Sequence, residues 1–171
     1  MSSRLNVTEA LKNPGQGYPF KAEVALEDTV VLDDPVHFGP VTVSGHVMGT
    51  GEAVSVLARA ETVVDTRCSK CLEPMRLPLR ADLDVRFLRA PDPDDPDLYA
   101  YDASTIDLTD PVRDALTLEM PMRFLCREDC KGLCPHCGAN LNKRTCTCQE
   151  GGEVTNPFAA LKFMVQEDEE V

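Results

Sequence analysis

Residues 75–87 read MRLPLRADLDVRF, and the alternation within this stretch decides the fold. Apolar side chains occupy every second position, whereas arginine, aspartate or proline occupies each position between them. Successive side chains of a β-strand point to opposite faces, so the pattern predicts a strand with one buried and one solvated face. Residues 53–67 alternate in a similar way. We therefore predict that they form its antiparallel neighbour, across a turn that carries Cys68 and Cys71.

Weaker strand patterns lie upstream of this hairpin. Val41, Val43 and Val47 mark a further strand that ends near Gly49, and residues 22–26 repeat the alternation less clearly. The chain shows no glycine-rich phosphate loop and no βαβ rhythm. The first half of the chain therefore predicts an antiparallel β-sheet or a small open barrel.

The character of the chain changes after these strands. Residues 90–110 are rich in aspartate and contain no basic residue, which is typical of a solvated loop. Asp110 and Pro111 have the residue types of a helix N-cap and a first helical position. Pro121 is expected to end that helix.

We predict an α+β fold in three parts. In the last part a short helix is expected to begin at Asn156, before acidic residues 167–170. The parts are a β-rich domain at 1–110 with its acidic loop at 90–110, a helix and a Cys-rich zinc knuckle at 111–148, and a short helix with an acidic tail at 149–171.

Six cysteines crowd into residues 126–148. The Cys-x2-Cys turn at Cys134 places two thiolates on one side of a tight loop, and Gly138 lets backbone amides point at the sulfurs. The pattern predicts one structural Zn²⁺ site that contains Cys134, Cys137 and two of the other four cysteines. The candidate ligands are Cys126, Cys130, Cys134, Cys137, Cys146 and Cys148.

A second pair of cysteines, Cys68 and Cys71, lies far upstream of this cluster. Two thiolates do not hold zinc alone, so a metal site here needs partners from the C-terminal cysteines or from another chain. The pair can equally be a reducible thiol pair or ordinary small core residues. The spacing alone does not decide among the three.

A disulfide framework is the alternative interpretation of the cysteines, and it requires an oxidising compartment. Residues 1–9 show no apolar stretch of the kind found in a secretory signal, and no window approaches the ~18 apolar residues of a membrane span. We therefore expect a cytoplasmic protein with reduced thiols and no membrane partner. An all-cysteine zinc site lacks the open position of catalytic zinc, so we expect no enzymatic activity and no small-molecule substrate.

The formal net charge is −12, which argues against nucleic acid as a partner of the chain as a whole. Two segments, 67–89 and 123–148, nevertheless each carry a net charge of +3. One interpretation is that these cations offset the charge of the thiolates and form the solvent-exposed face of a strand. The other is that they contact phosphates. The candidate RNA-contacting residues are Arg67, Lys70, Arg76, Arg80, Arg86, Lys143 and Arg144.

The order of these features resembles the YceD family, the large ribosomal RNA subunit accumulation proteins. The resemblance covers nearly the whole chain. It rests on CSKCLE at 68–73, the Ile106–Leu108 step, the turn from Leu118 to Pro121, CREDCKGLCPHCGANLN at 126–142 and NPFAAL at 156–161.

This resemblance implies a non-enzymatic ribosome biogenesis factor. The factor would support processing and accumulation of large-subunit rRNA by binding that RNA or its precursor, and zinc would be a structural cofactor. A large-subunit ribosomal protein is a second partner that the resemblance suggests. The competing interpretation is an acidic adaptor or chaperone for such a basic protein, acting through residues 92–110 and 167–170 without RNA contact.

Overall fold

A computed structural model describes residues 3–31, 34–91, 95 and 98–148. Two compact units make up the chain, Met1–Cys130 and Lys131–Val171. The helix that the sequence analysis grouped with the cysteine-rich module belongs to the first unit. The short helix expected from Asn156 and the acidic tail lie outside the described residues.

The described part of the first unit is mostly β-structure, with two short helices. None of the helices in the described ranges has the length and apolar character needed to cross a membrane. In chain order the elements are β1 (Arg4–Asn6), α1 (Thr8–Lys12), β2 (Gly17–Val24), β3 (Thr29–Val31), β4 (Asp34–Phe38), β5 (Val41–Thr50), β6 (Ala53–Arg67), β7 (Pro74–Leu88), β8 (Leu98–Ala100), β9 (Thr105–Asp107) and α2 (Thr109–Leu118).

β6 and β7 form a long antiparallel hairpin at the centre of the sheet. Their register runs without interruption from Ala53 opposite Leu88 to Arg67 opposite Pro74. The apolar positions of residues 75–87 are buried or half-buried, and the positions between them are exposed. The predicted alternation and the predicted pairing are both confirmed.

The remaining strands extend this sheet on both sides of the hairpin. On one side β5 pairs with β6 and β2 pairs with β5, while β4 and β3 continue from the same edge of β6. On the other side β8 adds a parallel pairing of three residues to β7. β1 and β9 form a separate antiparallel ribbon. Among the described strands the sheet is open and does not close into a barrel.

The core lies where the apolar face of the hairpin meets α2 and the ribbon. α2 packs against β7 and contributes Val112 and Leu116, which are fully buried. α1 packs against β5, where Gly49 leaves room for the backbone carbonyl of Ala10. The other face of the hairpin remains in contact with solvent.

α2 begins slightly earlier than predicted, and the predicted N-cap Asp110 lies in its first turn instead. The carboxylate of Asp107 accepts hydrogen bonds from the Thr109 hydroxyl at 2.6 Å and from the Thr109 N–H at 2.9 Å. These bonds lower the pKa of Asp107. The earlier aspartate therefore satisfies a backbone donor at the start of the helix, while the charge of Asp110 faces the positive end of the helix dipole.

The middle of β5 has no room for a side chain at Gly45. A Cβ there would overlap the Leu57 carbonyl oxygen and atoms of Ala58 on β6. We expect Gly45→Ala to lower the free energy of unfolding by about 1–3 kcal/mol, because β5 must move away from β6. Urea unfolding of the zinc-loaded protein, followed by circular dichroism, measures the change.

Gly17→Ala on β2 is the matched control, since nothing lies within 4 Å of a Cβ at that position. It should leave the urea midpoint nearly unchanged. Equal midpoints for the two variants would show that the β5–β6 pairing is looser than the structure indicates.

Candidate metal centres and basic residues

The first metal centre joins two distant parts of the first unit. Cys68 and Cys71 lie in the turn between β6 and β7, whereas Cys126 and Cys130 follow α2. All four Sγ atoms lie within 4.8 Å of one another, with Cys68–Cys130 at 3.8 Å and Cys71–Cys126 at 3.7 Å. A tetrahedral Zn²⁺ with Zn–S bonds of about 2.3 Å separates its sulfurs by roughly 3.8 Å. The four thiols therefore have the spacing of a tetrahedral metal site.

Hydrogen bonds hold the two cysteine-bearing segments together. The Ser69 N–H donates to the Phe124 carbonyl at 2.7 Å, and the Phe124 N–H donates to the Ser69 hydroxyl at 3.2 Å. Lys70 Nζ donates to the Cys130 carbonyl at 3.4 Å. The segment after α2 is thereby fixed against the hairpin turn, next to the first cysteine pair.

The second metal centre lies wholly within the second unit. Its backbone forms a tight knuckle, in which the Cys134 N–H donates to the Ala139 carbonyl at 2.8 Å and the Gly138 N–H donates to the Cys134 carbonyl at 2.9 Å. Gly138 has a φ of 68°, which glycine adopts without steric cost. The four thiols again lie within 4.8 Å of one another, and they belong to Cys134, Cys137, Cys146 and Cys148.

The turn at Cys68 repeats this knuckle. The Cys68 N–H donates to the Glu73 carbonyl at 2.9 Å, and the Leu72 N–H donates to the Cys68 carbonyl at 2.8 Å. Leu72 stands where the second knuckle has Gly138, and its φ of 57° is uncommon for a leucine. Sequence reasoning missed the equivalence because the glycine is absent, although the shared Cys-x2-Cys spacing pointed to it.

The cysteines therefore divide differently from the single site expected within residues 126–148. Two of those six, Cys126 and Cys130, join Cys68 and Cys71, and the other four stay together. Of the three interpretations open for the first pair, half of a metal site matches this arrangement. The physical reason is the hydrogen-bonded contact between the hairpin turn and the segment after α2, which no spacing rule reveals.

Backbone amides favour one thiolate in each centre. Burial raises the pKa of Cys68, but nearby N–H groups, first that of Cys126, outweigh it and lower the pKa to about 6. The Cys137 N–H is the main cause that lowers the pKa of Cys134 to about 6. Neighbouring thiols act in the opposite direction on other cysteines of the two centres. The Cys137 thiol, for example, is the main cause that raises the pKa of Cys148 to about 12. A divalent cation would stabilise the thiolate form of all four cysteines in each cluster, so each cluster could hold a metal ion, which acid would release by protonating the thiolates.

The two centres differ in their access to solvent. In the first centre Cys68, Cys71 and Cys130 are at most 4% exposed, whereas Cys126 is exposed. In the second centre Cys137 is exposed, and Cys146 and Cys148 are half-buried. A cavity of about 470 Å³ opens beside the second centre and is lined by Lys131, Cys134, Pro135, His136, Leu141, Thr145, Cys146 and Cys148. A small molecule can therefore reach the second set of sulfurs more readily than the first.

Two of the arginines predicted to contact RNA are paired with carboxylates across the hairpin. Arg76 Nε lies 3.1 Å from Asp65, and Arg80 Nε lies 3.1 Å from Glu61. Each pair consists of directly opposed residues of β6 and β7. The solvent face of the hairpin is consequently a row of ion pairs and not a continuous basic surface.

The other candidate cations of the first unit have different surroundings. Arg86 lies opposite Ser55 in the hairpin register, and Arg67 lies opposite Pro74. Lys70 reaches the carbonyl beside the first metal centre, as described above. Sequence reasoning did not select the adjacent Arg59, whose guanidinium makes two hydrogen bonds to Asp82 at 2.7 and 3.3 Å.

Lys143 and Arg144 lie in the second unit, directly after the knuckle. Their N–H groups each donate to the Asn140 carbonyl at 3.1 Å. The backbone of Lys131, a cation that the sequence analysis did not select, donates to the Asn142 side-chain oxygen at 2.9 Å. These bonds hold the backbone of all three residues next to Asn140 and Asn142.

The family model that matches this chain is described as "Large ribosomal RNA subunit accumulation protein YceD", and the match covers residues 56–164. That range contains all eight cysteines. The chain belongs to the YceD family.

Relatives of this YceD-family chain include a plant protein and two bacterial ones. The chloroplastic YCED homolog 1 of Arabidopsis thaliana is 36% identical over 73 residues, which are 42% of this chain and 23% of the plant protein. An uncharacterized protein of Mycobacterium tuberculosis is 32% identical over 124 residues, which are 69% of this chain and 55% of that protein. The uncharacterized protein YlbN of Bacillus subtilis is 26% identical over 161 residues, which are 92% of this chain and 93% of YlbN. The match thus spans about half or less of the first two relatives, and no solved structure matches the chain.

We expect the purified YceD-family chain to hold two divalent ions, because each centre supplies four thiolates. Elemental analysis by mass spectrometry gives the ratio of metal to protein. Cys71→Ser, Cys126→Ser and Cys137→Ser should each lower the ratio to about one, since three thiolates hold the ion far less tightly than four.

Double variants decide how the cysteines are grouped. Cys71→Ser combined with Cys126→Ser should keep one ion, whereas Cys71→Ser combined with Cys137→Ser should keep none. The opposite pattern would mean that Cys71 and Cys126 belong to different centres.

The second centre should release its metal first, because three of its four cysteines are exposed or half-buried, whereas only Cys126 is not buried in the first centre. Mixing the metal-loaded protein with excess 4-(2-pyridylazo)resorcinol should give two phases of equal absorbance change. Cys137→Ser should abolish the fast phase, and Cys126→Ser should abolish the slow one. A single phase, or the reverse assignment, would contradict the difference in burial.

Proposed function

We propose that this protein supports the accumulation of large-subunit ribosomal RNA, and that it acts by binding this RNA or its precursor. Family membership carries the proposal, because the matching model and the chloroplastic plant relatives are named for accumulation of this RNA. The role belongs to ribosome biogenesis. Its proposed location is the cytoplasm, where reducing conditions keep cysteines as free thiols.

The metal chemistry of the two centres favours a binding role over catalysis. Zn²⁺ suits a set of four thiolates, and such a set completes the tetrahedral coordination shell. Catalytic zinc keeps a position for water or substrate, which a closed four-cysteine shell does not provide. We therefore assign both ions a structural role and the protein a non-enzymatic one.

RNA contact by an acidic protein is favoured where basic residues locally outnumber acidic ones. Repulsion between distant charges is screened over a Debye length of about 8 Å at physiological salt, so short-range contacts decide binding. The ion pairs of Arg76 and Arg80 weaken the case for the hairpin face. Residues 131–148 contain three cations and no acidic residue, although Asp129 and Glu150 lie just outside this range, and this makes the segment the better candidate.

A second candidate function is that of an adaptor for a basic large-subunit ribosomal protein. The charge of the first unit favours it, because residues 1–130 contain 23 acidic and 13 basic residues. A strongly acidic surface attracts a cationic partner and increases its rate of encounter. In this case the rRNA level would depend on the protein without direct contact between them.

Both candidate functions require the protein for accumulation of large-subunit rRNA, and depletion of the protein from growing cells tests this requirement. We expect the ratio of large-subunit to small-subunit rRNA to fall, as measured by electrophoresis of total RNA. An unchanged ratio would overturn the proposed function, whichever molecule the protein binds.

Ultraviolet crosslinking and immunoprecipitation of the tagged protein separates the two candidates. RNA sequencing and mass spectrometry of the same sample identify the bound molecules. Direct crosslinks to large-subunit rRNA support RNA binding. A ribosomal protein recovered without such crosslinks, together with a lowered rRNA ratio, supports the adaptor.

A further inference from the structure

The described part of the second unit has a charge pattern unlike that of the rest of the chain. Residues 131–148 contain Lys131, Lys143 and Arg144 but no aspartate and no glutamate. Zn²⁺ with four thiolates carries a charge of about −2, so the three cations leave this segment with a small positive excess. A small positive region on a chain of net charge −12 is a local feature that an anionic ligand can use.

A hydrogen-bond network sets the positions of these cations. Asn140 accepts bonds from Asn142 N–H and Asn142 Nδ2, both at 3.0 Å, through its side-chain oxygen. Asn142 in turn accepts the Lys131 N–H, while the Asn140 carbonyl accepts the N–H groups of Lys143 and Arg144. The backbone is therefore fixed at all three cations before an anion binds. This lowers the entropic cost of binding.

A cavity adjoins one of these cations, Lys131, and its lining suits a flat, partly apolar group. Pro135 and Leu141 provide apolar surface, His136 provides an exposed ring, and Thr145 provides a hydroxyl. Lys131 lines the cavity as well, so one cation borders both the cavity and the basic region. Its volume of about 470 Å³ falls within the range of about 300–1,000 Å³ that is usual for small-ligand pockets.

Single-stranded RNA combines the two kinds of group that this unit can accept. Proteins bind it by contacting phosphates with cations and by holding unstacked bases against rings and apolar side chains. Duplex RNA offers phosphates but keeps its bases stacked, so it would use the cations and leave the cavity empty.

We propose that the second unit is a binding site for single-stranded RNA. Lys131, Lys143 and Arg144 contact phosphates, and the cavity beside the second metal centre accepts an unstacked base against Leu141 and His136. This site deepens the proposed function and rests on it, since it names where and how the rRNA would be bound.

Fluorescence anisotropy with the full-length, zinc-loaded protein and a fluorescein-labelled single-stranded RNA of mixed sequence tests the site. The variant Lys131→Ala/Lys143→Ala/Arg144→Ala should raise Kd about tenfold or more and lower the slope of log Kd against log salt concentration by about 2, because each phosphate contact contributes roughly 0.7. Leu141→Ala should raise Kd for this RNA without changing the salt slope, since it removes no charge. It should change Kd for duplex RNA much less.

Matched controls separate a lost contact from a lost fold. The variant Arg76→Ala/Arg80→Ala removes two exposed cations from the hairpin face, where each is paired with a carboxylate. It should change Kd by less than about twofold, since surface pairs of this kind contribute little free positive charge. The variant Lys131→Arg/Lys143→Arg/Arg144→Lys keeps the charge and should keep the affinity. Every variant must retain two metal ions per chain.

Three results would overturn the site. The triple alanine variant could bind RNA as tightly as the unaltered chain, the hairpin variant could lose as much affinity, or the unaltered chain could bind a basic ribosomal protein and no RNA. Expression of the triple alanine variant in depleted cells distinguishes this failure from failure of the proposed function. A restored rRNA ratio there would reject the site alone, whereas a normal ratio on depletion of the protein would reject the proposed function.

Discussion

Four thiols held within 4.8 Å of one another cannot all ionise without a cation, and in the first unit this constraint acts where the hairpin turn meets the segment after α2. Cys68 and Cys71 close the end of the central strands, and Cys126 and Cys130 follow the helix that covers them. A metal shared by the two pairs links the hairpin tip to the segment that leaves α2. Because that link closes a long loop of chain, it removes much more freedom from the unfolded state than a local turn does.

The central hairpin could be predicted because the apolar and charged residues of its strands alternate in step with the buried and exposed positions. One face of residues 75–87 is apolar and the other is charged, and a period of two has only one structural explanation. β1, β8 and β9 could not be predicted, since three residues are too few to show an alternation. The start of α2 was placed too late because Asp110 has the residue type of an N-cap, whereas the helix begins at Thr109, whose N–H donates to the carboxylate of Asp107.

The metal centres were only partly predictable, for a related reason. Spacing identifies cysteines that share a turn, such as Cys134 and Cys137, but it does not reveal which turns meet in space. The pairing of Arg76 with Asp65 differs, because it depends only on the register of β6 against β7. A turn centred between Lys70 and Cys71 fixes that register and places Arg76 opposite Asp65 and Arg80 opposite Glu61. The predicted turn therefore contained the information that these two arginines lie opposite carboxylates.

The uneven division of charge has a consequence for how an acidic protein selects an RNA. Residues 1–130 carry an excess of acidic residues, while residues 131–148 carry only basic ones. At a distance beyond the Debye length of about 8 Å, RNA meets little attraction, so no general accumulation of RNA on the protein is expected. Within that distance a few phosphates can meet the three cations of residues 131–148. Contacts between cations and phosphates alone cannot overcome the negative charge of the rest of the chain, so binding to RNA in general is weak. RNA that also supplies an accessible base to the cavity is therefore bound in preference to RNA that supplies only phosphates.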